Sequence, residues 1–148
     1  MKIPPLLAGV AGEYFVAAEL SRRGHIASIS LRNTRGIDIL TTNQAASRSI
    51  TIQCKTNQAA RKIWILDKKS EGFVSGDHFY VFVAFSGVQE CPSYHIVPSR
   101  DVSKQITTSH KRWLSTPGRG GHQHVDNRIH QFSDSDDLYL EKWDLLGL

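Results

Sequence analysis

Gly36-Ile37-Asp38-Ile39-Leu40 and, after a polar break, Ile50-Thr51-Ile52-Gln53-Cys54-Lys55-Thr56 are the stretches whose reading decides the fold. β-Branched residues dominate both, and turn formers bound them, so both read as strands, over 37–42 and 49–55. The second alternates cleanly. Ile50, Ile52 and Cys54 fall on one face, with Thr51, Gln53 and Lys55 on the other. Polar residues 43–47 suit the loop of a hairpin. Asp38 interrupts its strand, where aspartate is disfavoured. It precedes Gln53 by fifteen residues, so hairpin pairing sets both side-chain oxygens beside the Lys55 ammonium. The ordinary reading of such a group is the polar outer face of an antiparallel sheet.

Working outward, residues 6–23 read as an amphipathic helix ended by Gly24. Val10, Glu13, Ala17 and Leu20 share one side, and Glu19 points the other way, to solvent. A glutamate on an apolar stripe is costly unless it is paired or reaches water. Residues 25–31 read as a strand, followed by a turn at 33–36. Beyond the hairpin, 63–66 is a short apolar stretch and 68–77 a loop. His78–Phe85 is nearly continuous in apolar residues, as expected of a strand buried on both faces. Residues 94–97 form another short strand. Ser99 is placed to cap a helix whose stripe is Val102, Ile106, Ser109 and Trp113. A glycine-rich basic loop covers 115–128, and a final helix is expected with Tyr139, Trp143 and Leu146 as its stripe. The whole is an α/β or α+β layered chain, read as one domain over 1–148.

Composition narrows the function classes. The 148 residues are 40% apolar and 22% charged, typical of a globular chain. Two cysteines and no C-x-x-C pair give no disulfide framework and no redox motif. Apolar runs stop far short of the ~18 residues that span a bilayer. The N-terminus makes a poor secretory signal, so a cytoplasmic location with reduced thiols is expected. Charge is uneven. Residues 1–65 hold nine Lys or Arg against three acids, a net of +6; the remainder carries −2. A basic half suits a polyanionic partner, nucleic acid being the commonest, though uneven surface charge is the plainer reading. No glycine loop of nucleotide-binding type is present.

Taken together, the helix with Glu13, the strand with Asp38, the strand with Gln53-Cys54-Lys55 and the buried strand at 78–85 resemble the PD-(D/E)XK nuclease superfamily. The likeness is to its small restriction-endonuclease-like and Holliday-junction-resolvase-like members. It covers 6–56 well and extends loosely to about 97; residues 98–148 carry no motif of the superfamily. The resemblance implies a restriction-endonuclease-like αβββαβ core, a mixed sheet with helices on both faces. It implies Mg²⁺- or Mn²⁺-dependent cleavage of DNA phosphodiester bonds by an attacking water. On that pattern Asp38 is the principal metal ligand. Gln53 stands where the superfamily usually has an acid. Glu13 and the Cys54 carbonyl complete the ligand set, and Lys55 positions or deprotonates the water. Gln53 still offers an oxygen but removes one negative charge.

Arg22, Arg23, Arg32, Arg35, Arg61 and Lys62 are candidates for phosphate contacts; plain surface charge is the simpler reading of each. Trp64, beside Arg61 and Lys62, is the one tryptophan considered for base stacking. His122, His124 and His130 lack zinc-like spacing. RNA remains open as substrate, and a homodimer is one way to address both strands of a duplex. Two other readings stand beside the nuclease. A degenerate module of the same fold would bind nucleic acid without cutting it. A protein-interaction domain would show no salt-dependent affinity for DNA.

Overall fold

The computed structural model describes residues 2–31, 35–59 and 61–148. The elements run α1 (Pro5–Arg22), β1 (Ile26–Ile29), β2 (Ile39–Thr42), β3 (Ser49–Asn57), β4 (Ile63–Asp67), β5 (His78–Ala84), β6 (Ser93–Pro98), α2 (Ser99–Ser115) and β7 (Ile129–Ser133). Short 3-10 turns occupy Lys68–Glu71, Arg119–Gly121 and Trp143–Leu146. Five strands form one mixed sheet in the order β1-β2-β3-β5-β6. β3 and β5 are parallel; the other neighbours are antiparallel. β4 and β7 pair separately. This is the mixed α/β sheet flanked by helices that the sequence predicts. The β3-to-β5 crossover holds β4 and a 3-10 turn rather than an α-helix; α2 supplies the helical cover after β6.

The alternation of β3 and β5 sorts the core into two halves. Ile50, Ile52, Phe79, Val81 and Val83 face α1, with Val16 and Leu20. Tyr80 and Phe82 face the other way, onto α2, β4 and β7, with Trp64, Val102, Ile106 and Phe132. β5 is buried on both faces, as its continuous apolar run requires.

α1 presents Ala8, Gly12, Val16 and Leu20 to the sheet, a stripe rotated from the one the sequence suggested. Gly12 explains the rotation. A Cβ there would lie 1.9 Å from Thr56 Oγ1 and 3.1 Å from Thr56 Cβ, so only glycine lets the helix sit this close. Gly12→Ala is therefore expected to lower stability by about 1–3 kcal/mol despite alanine's better helix propensity. A chemical denaturation midpoint equal to or above wild type would show that the helix can back away at no cost. Glu19 is not a free solvent group: it is half-buried and pairs with Arg22 at 3.0 Å and Arg23 at 3.6 Å.

Three further expectations change. Ser99 does not cap α2; its hydroxyl donates to the Ser75 carbonyl at 2.8 Å and accepts from the Ser75 amide at 3.0 Å. Of the α2 stripe, Val102 and Ile106 are fully buried, while Trp113 is partly exposed. No final α-helix forms. Asp137 and Glu141 take positive φ (56° and 55°), which interrupts any helix through them. Tyr139, Trp143 and Leu146 act instead as separate anchors: Trp143 and Leu146 join the α1-side core, and Tyr139 packs on the α2 side. Residues 98–148 thus supply parts of both core halves. Among the described residues no helix is long and apolar enough to cross a membrane.

Candidate active site

The site is built where β2 stops and β3 continues. The β2–β3 register pairs Ile39 with Ile52, and β3 runs on to Asn57. Asp38 lies just beyond that pairing, its amide bonded to the Ile52 carbonyl at 2.8 Å. Thr51 donates its amide to Asp77 and the Asn57 carbonyl accepts from Phe85, so odd-numbered residues of β3 turn their backbone toward β5. Even-numbered residues face the β2 side, as the bond from the Asp38 amide to the Ile52 carbonyl shows. The Cys54 amide therefore meets no strand partner there. Asp38 Oδ2 accepts it at 2.7 Å. The Cys54 carbonyl points to the same open edge.

The electrostatics place the remaining groups. Burial pushes the Asp38 carboxyl above its usual range, against the Cys54 amide and the Lys55 ammonium, which both favour the charged form. Burial raises the Cys54 thiol well above normal, and the charges of Asp38 and Glu13 add to it while Lys55 opposes. Glu13, Asp38, Cys54 and Lys55 thus share one neighbourhood, with Glu13 entering from the α1 face. The Cys54 thiol itself packs toward the α1-side core, as its alternation predicts. Gln53 points toward the turn before Asp38, its Oε1 3.6 Å from where a Cβ on residue 36 would lie. That turn needs glycine: φ at Gly36 is 61°, and a Cβ would sit 3.0 Å from the Phe73 ring.

Two residues beside the site, on β5, were not singled out from the sequence. His78 and Tyr80 stand in register with Thr51 and Gln53. His78 Nδ1 lies 2.8 Å from Thr51 Oγ1, and burial lowers its pKa to about 4, so it is neutral at pH 7. Their run is apolar on both faces, which hid which side each would take.

The basic candidates divide. Arg35 is exposed beside the Asp38 turn, and Arg61 is exposed just before β4. Arg22 and Arg23 lie at the C-terminal end of α1, near the hairpin loop, where Gly24 adjoins Gln44. That is the end of β2 opposite Asp38, and Arg23 also pairs with Glu141 and covers the Trp143 ring. Lys62 is engaged by Asp137. Arg32 lies outside the described residues. Trp64 is a core residue, 2% exposed, donating Nε1 to the Val83 carbonyl at 3.0 Å. This removes it from base stacking.

The loop 116–128 is fastened rather than loose: His124 stacks on Trp113 at 4.2 Å, and His110 bonds Asp126 at 2.8 Å. His130 is buried, pairs with Glu71 and stacks on His110. A second acidic group, His95, Asp134 and Asp137, brings potential metal-ligand atoms together. Its carboxylates and His95 Nδ1 already have partners; the buried His95 Nε2 has none among the described residues. Asp134 accepts from His95 Nδ1 at 2.6 Å and from the amides of Leu138 and Tyr139; Lys62 neutralises Asp137. β6 is three strands from β2, about 14 Å at the usual spacing, so this group is separate from Asp38.

No protein-family model matches the sequence, and no curated protein does. Solved structures do. Hjc, a Holliday junction resolvase from the archaeal hyperthermophile Archaeoglobus fulgidus, superposes with a TM-score of 0.53 at 15% identity, over 94% of this chain and 95% of its own. The bacterial homing endonuclease I-Ssp6803I gives a TM-score of 0.55 at 17% identity, over 99% of this chain and 94% of its own. Both have the restriction-endonuclease-like fold, and this chain shares that fold.

Proposed function

We propose that the chain is a divalent-metal-dependent endonuclease acting on DNA, with its site on Glu13, Asp38, Gln53, Cys54 and Lys55. The observation that carries this reading is the open edge of β3, where Asp38 grips the Cys54 amide beside Lys55. The donors suit Mg²⁺ or Mn²⁺, which take hard oxygens. Asp38, the Cys54 carbonyl, Gln53 Oε1 and the Glu13 carboxylate are the oxygens that would hold such an ion. A bound cation would offset charge growing on the phosphoryl oxygens and acidify water. The chain's own groups supply the rest. Lys55 brings a positive charge to the phosphate and orients the attacking water. Neutral His78 and the buried Tyr80 flank Thr51 and Gln53 on the neighbouring strand. Arg35 and Arg61 are the exposed cations placed for flanking phosphates. A pair of copies would present two such sites to the two strands of a duplex.

Thermal unfolding with and without Mn²⁺ tests the ligand assignment. The folded state holds a proton on Asp38 more tightly than the unfolded chain does. That carboxyl therefore costs stability above its raised pKa, and the cost vanishes below the ordinary carboxylate value. Asp38→Asn should raise the metal-free Tm at pH 7 and abolish the rise that Mn²⁺ gives wild type. Gln53→Glu should do the reverse, lowering the metal-free Tm and reducing the half-saturating Mn²⁺ concentration about tenfold through its added charge. An unchanged Mn²⁺ response in Asp38→Asn would remove it as a ligand. Gln53 itself favours a second reading, a module that holds DNA without cutting it. Salt-dependent DNA binding with no cleavage in either metal would select that reading.

A further inference from the structure

We infer that the uncovered face of β1, β2 and β3 is a nucleobase subsite, which takes an unstacked base of the DNA strand entering the proposed site. One face of these strands packs toward α1 through Ala27, Ile39, Ile50 and Ile52. On the opposite side α2 packs on β5 and β6. Ile26, Leu40, Thr42, Ser49 and Thr51 share the face left open: Ile26 pairs with Thr42, Thr42 with Ser49, and Leu40 with Thr51. Ile26 and Leu40 are 55 and 51% exposed. Ser75 and Asp77 wall this floor, and the cleft between them holds about 440 Å³. That lies within the ~300–1,000 Å³ of small-ligand clefts. The cleft is pre-formed. The Asp77 carbonyl accepts the Thr51 amide at 2.8 Å, and Ser75 is tied to Ser99 through both its amide and its carbonyl.

The chemistry of the lining selects the occupant. Among its described residues the charged one, Asp77, is neutralised by Arg48 at 3.0 Å. Hydroxyls and two aliphatic side chains remain, which offer a phosphate little and a nucleobase much. A base has an apolar face for Ile26 and Leu40. Its rim of donors and acceptors suits hydroxyls, which serve as either. Paired and stacked bases hide those faces, so the ligand is a strand with an unstacked base. Thr51 and Gln53 lie on one face of β3, two residues and about 7 Å apart, so a base at Thr51 is within one nucleotide of a phosphate at the proposed site. Phe73 stands at the join. It is 37% exposed, and its ring centre is 4.2 Å from that of His78, whose Nδ1 holds the Thr51 hydroxyl at 2.8 Å. It borders the same Gly36 turn as Gln53. An aromatic ring in that place can stack on any base.

The choice of ligand rests on the nuclease reading, but base binding is measured without cleavage, so the two fail separately. In EDTA, a duplex with a central stretch of unpaired thymines should bind at least about tenfold more tightly than the fully paired duplex of equal length and charge. Phe73→Ala, or Leu40→Glu if that variant folds poorly, should erase this ratio. Far-ultraviolet circular dichroism checks that each variant is folded. Ultraviolet crosslinking of iodouracil placed in the unpaired stretch should label residues within 40–51 or 73–77. Equal affinity for the two duplexes, an unchanged ratio in a folded variant, or crosslinks that map outside these segments overturns the inference. Preferred binding with no cleavage in Mg²⁺ or Mn²⁺ would count against the catalytic site and leave the subsite standing. Cleavage without the preference would do the opposite.

Discussion

Lys55→Ala is expected to reduce DNA cleavage by about 10²–10⁴-fold while leaving folding and DNA binding nearly intact. The side chain is half-buried near the open edge of β3, on the face shared with Gln53. Among the described residues no carboxylate pairs with it directly, yet its charge favours the ionised form of Asp38. Removing the ammonium takes away no core packing. It leaves Asp38 deeper in its burial cost and, on the proposed reading, removes a cation from beside the phosphate. Lys55→Arg keeps the charge but replaces a compact donor with a wide planar one, so it should restore DNA affinity more than rate. Single-turnover cleavage with Mg²⁺, beside a binding titration at several salt concentrations, separates the two effects. Cleavage at the wild-type rate in Lys55→Ala would remove this residue from the chemistry.

Phe82→Ala should be the most damaging single truncation, costing about 3–5 kcal/mol. Phe82 is fully buried and lies parallel to Phe132 at 4.4 Å, with Tyr80 at 5.7 Å and Trp64 at 5.1 Å. It is the point at which the five-stranded sheet grips the β4–β7 pair. A domain of this size has roughly 5–15 kcal/mol in all, so the variant should sit near its unfolding threshold. The expected drop in Tm is on the order of 10 °C. Calorimetry gives the cost. Limited proteolysis should show cuts first within 116–133, because that segment depends on this cluster. A loss below about 1 kcal/mol would mean that the aromatic stack is not coupled to the cooperative fold.

The parts of the fold legible in the sequence are those in which one segment's pattern is satisfied by one neighbour. β3 shows this best: its alternation sorted Cys54 from Gln53 and Lys55 before any partner was known. The hairpin was readable because Asp38 and Gln53 lie at a separation that one short loop can close. Glu13 stood out as an acid on an otherwise apolar helix side. The helix's rotation was not legible, because it is decided by Gly12 meeting Thr56, 44 positions away in the chain. The C-terminal third misled for a related reason. Tyr139, Trp143 and Leu146 have helical spacing, but left-handed turns at Asp137 and Glu141 send each to a different place. The carboxylate of Asp134 takes the amides of Leu138 and Tyr139, as an N-cap would, without a helix following.

By itself, then, the sequence determined which face of each strand is apolar, which residue types could carry phosphodiester chemistry, and that β5 must be enclosed on both sides. Those are properties of period and composition, carried by neighbouring residues. The tertiary structure alone decided that β2 begins only at Ile39, one residue after Asp38, which leaves the far end of the β3 edge open. It decided that β7 closes onto β4, and that Trp64 is enclosed while the outer side of α1 is not. Each of these depends on contacts between residues far apart in the chain, where the free energy of burial belongs to the pair and is written in neither segment separately.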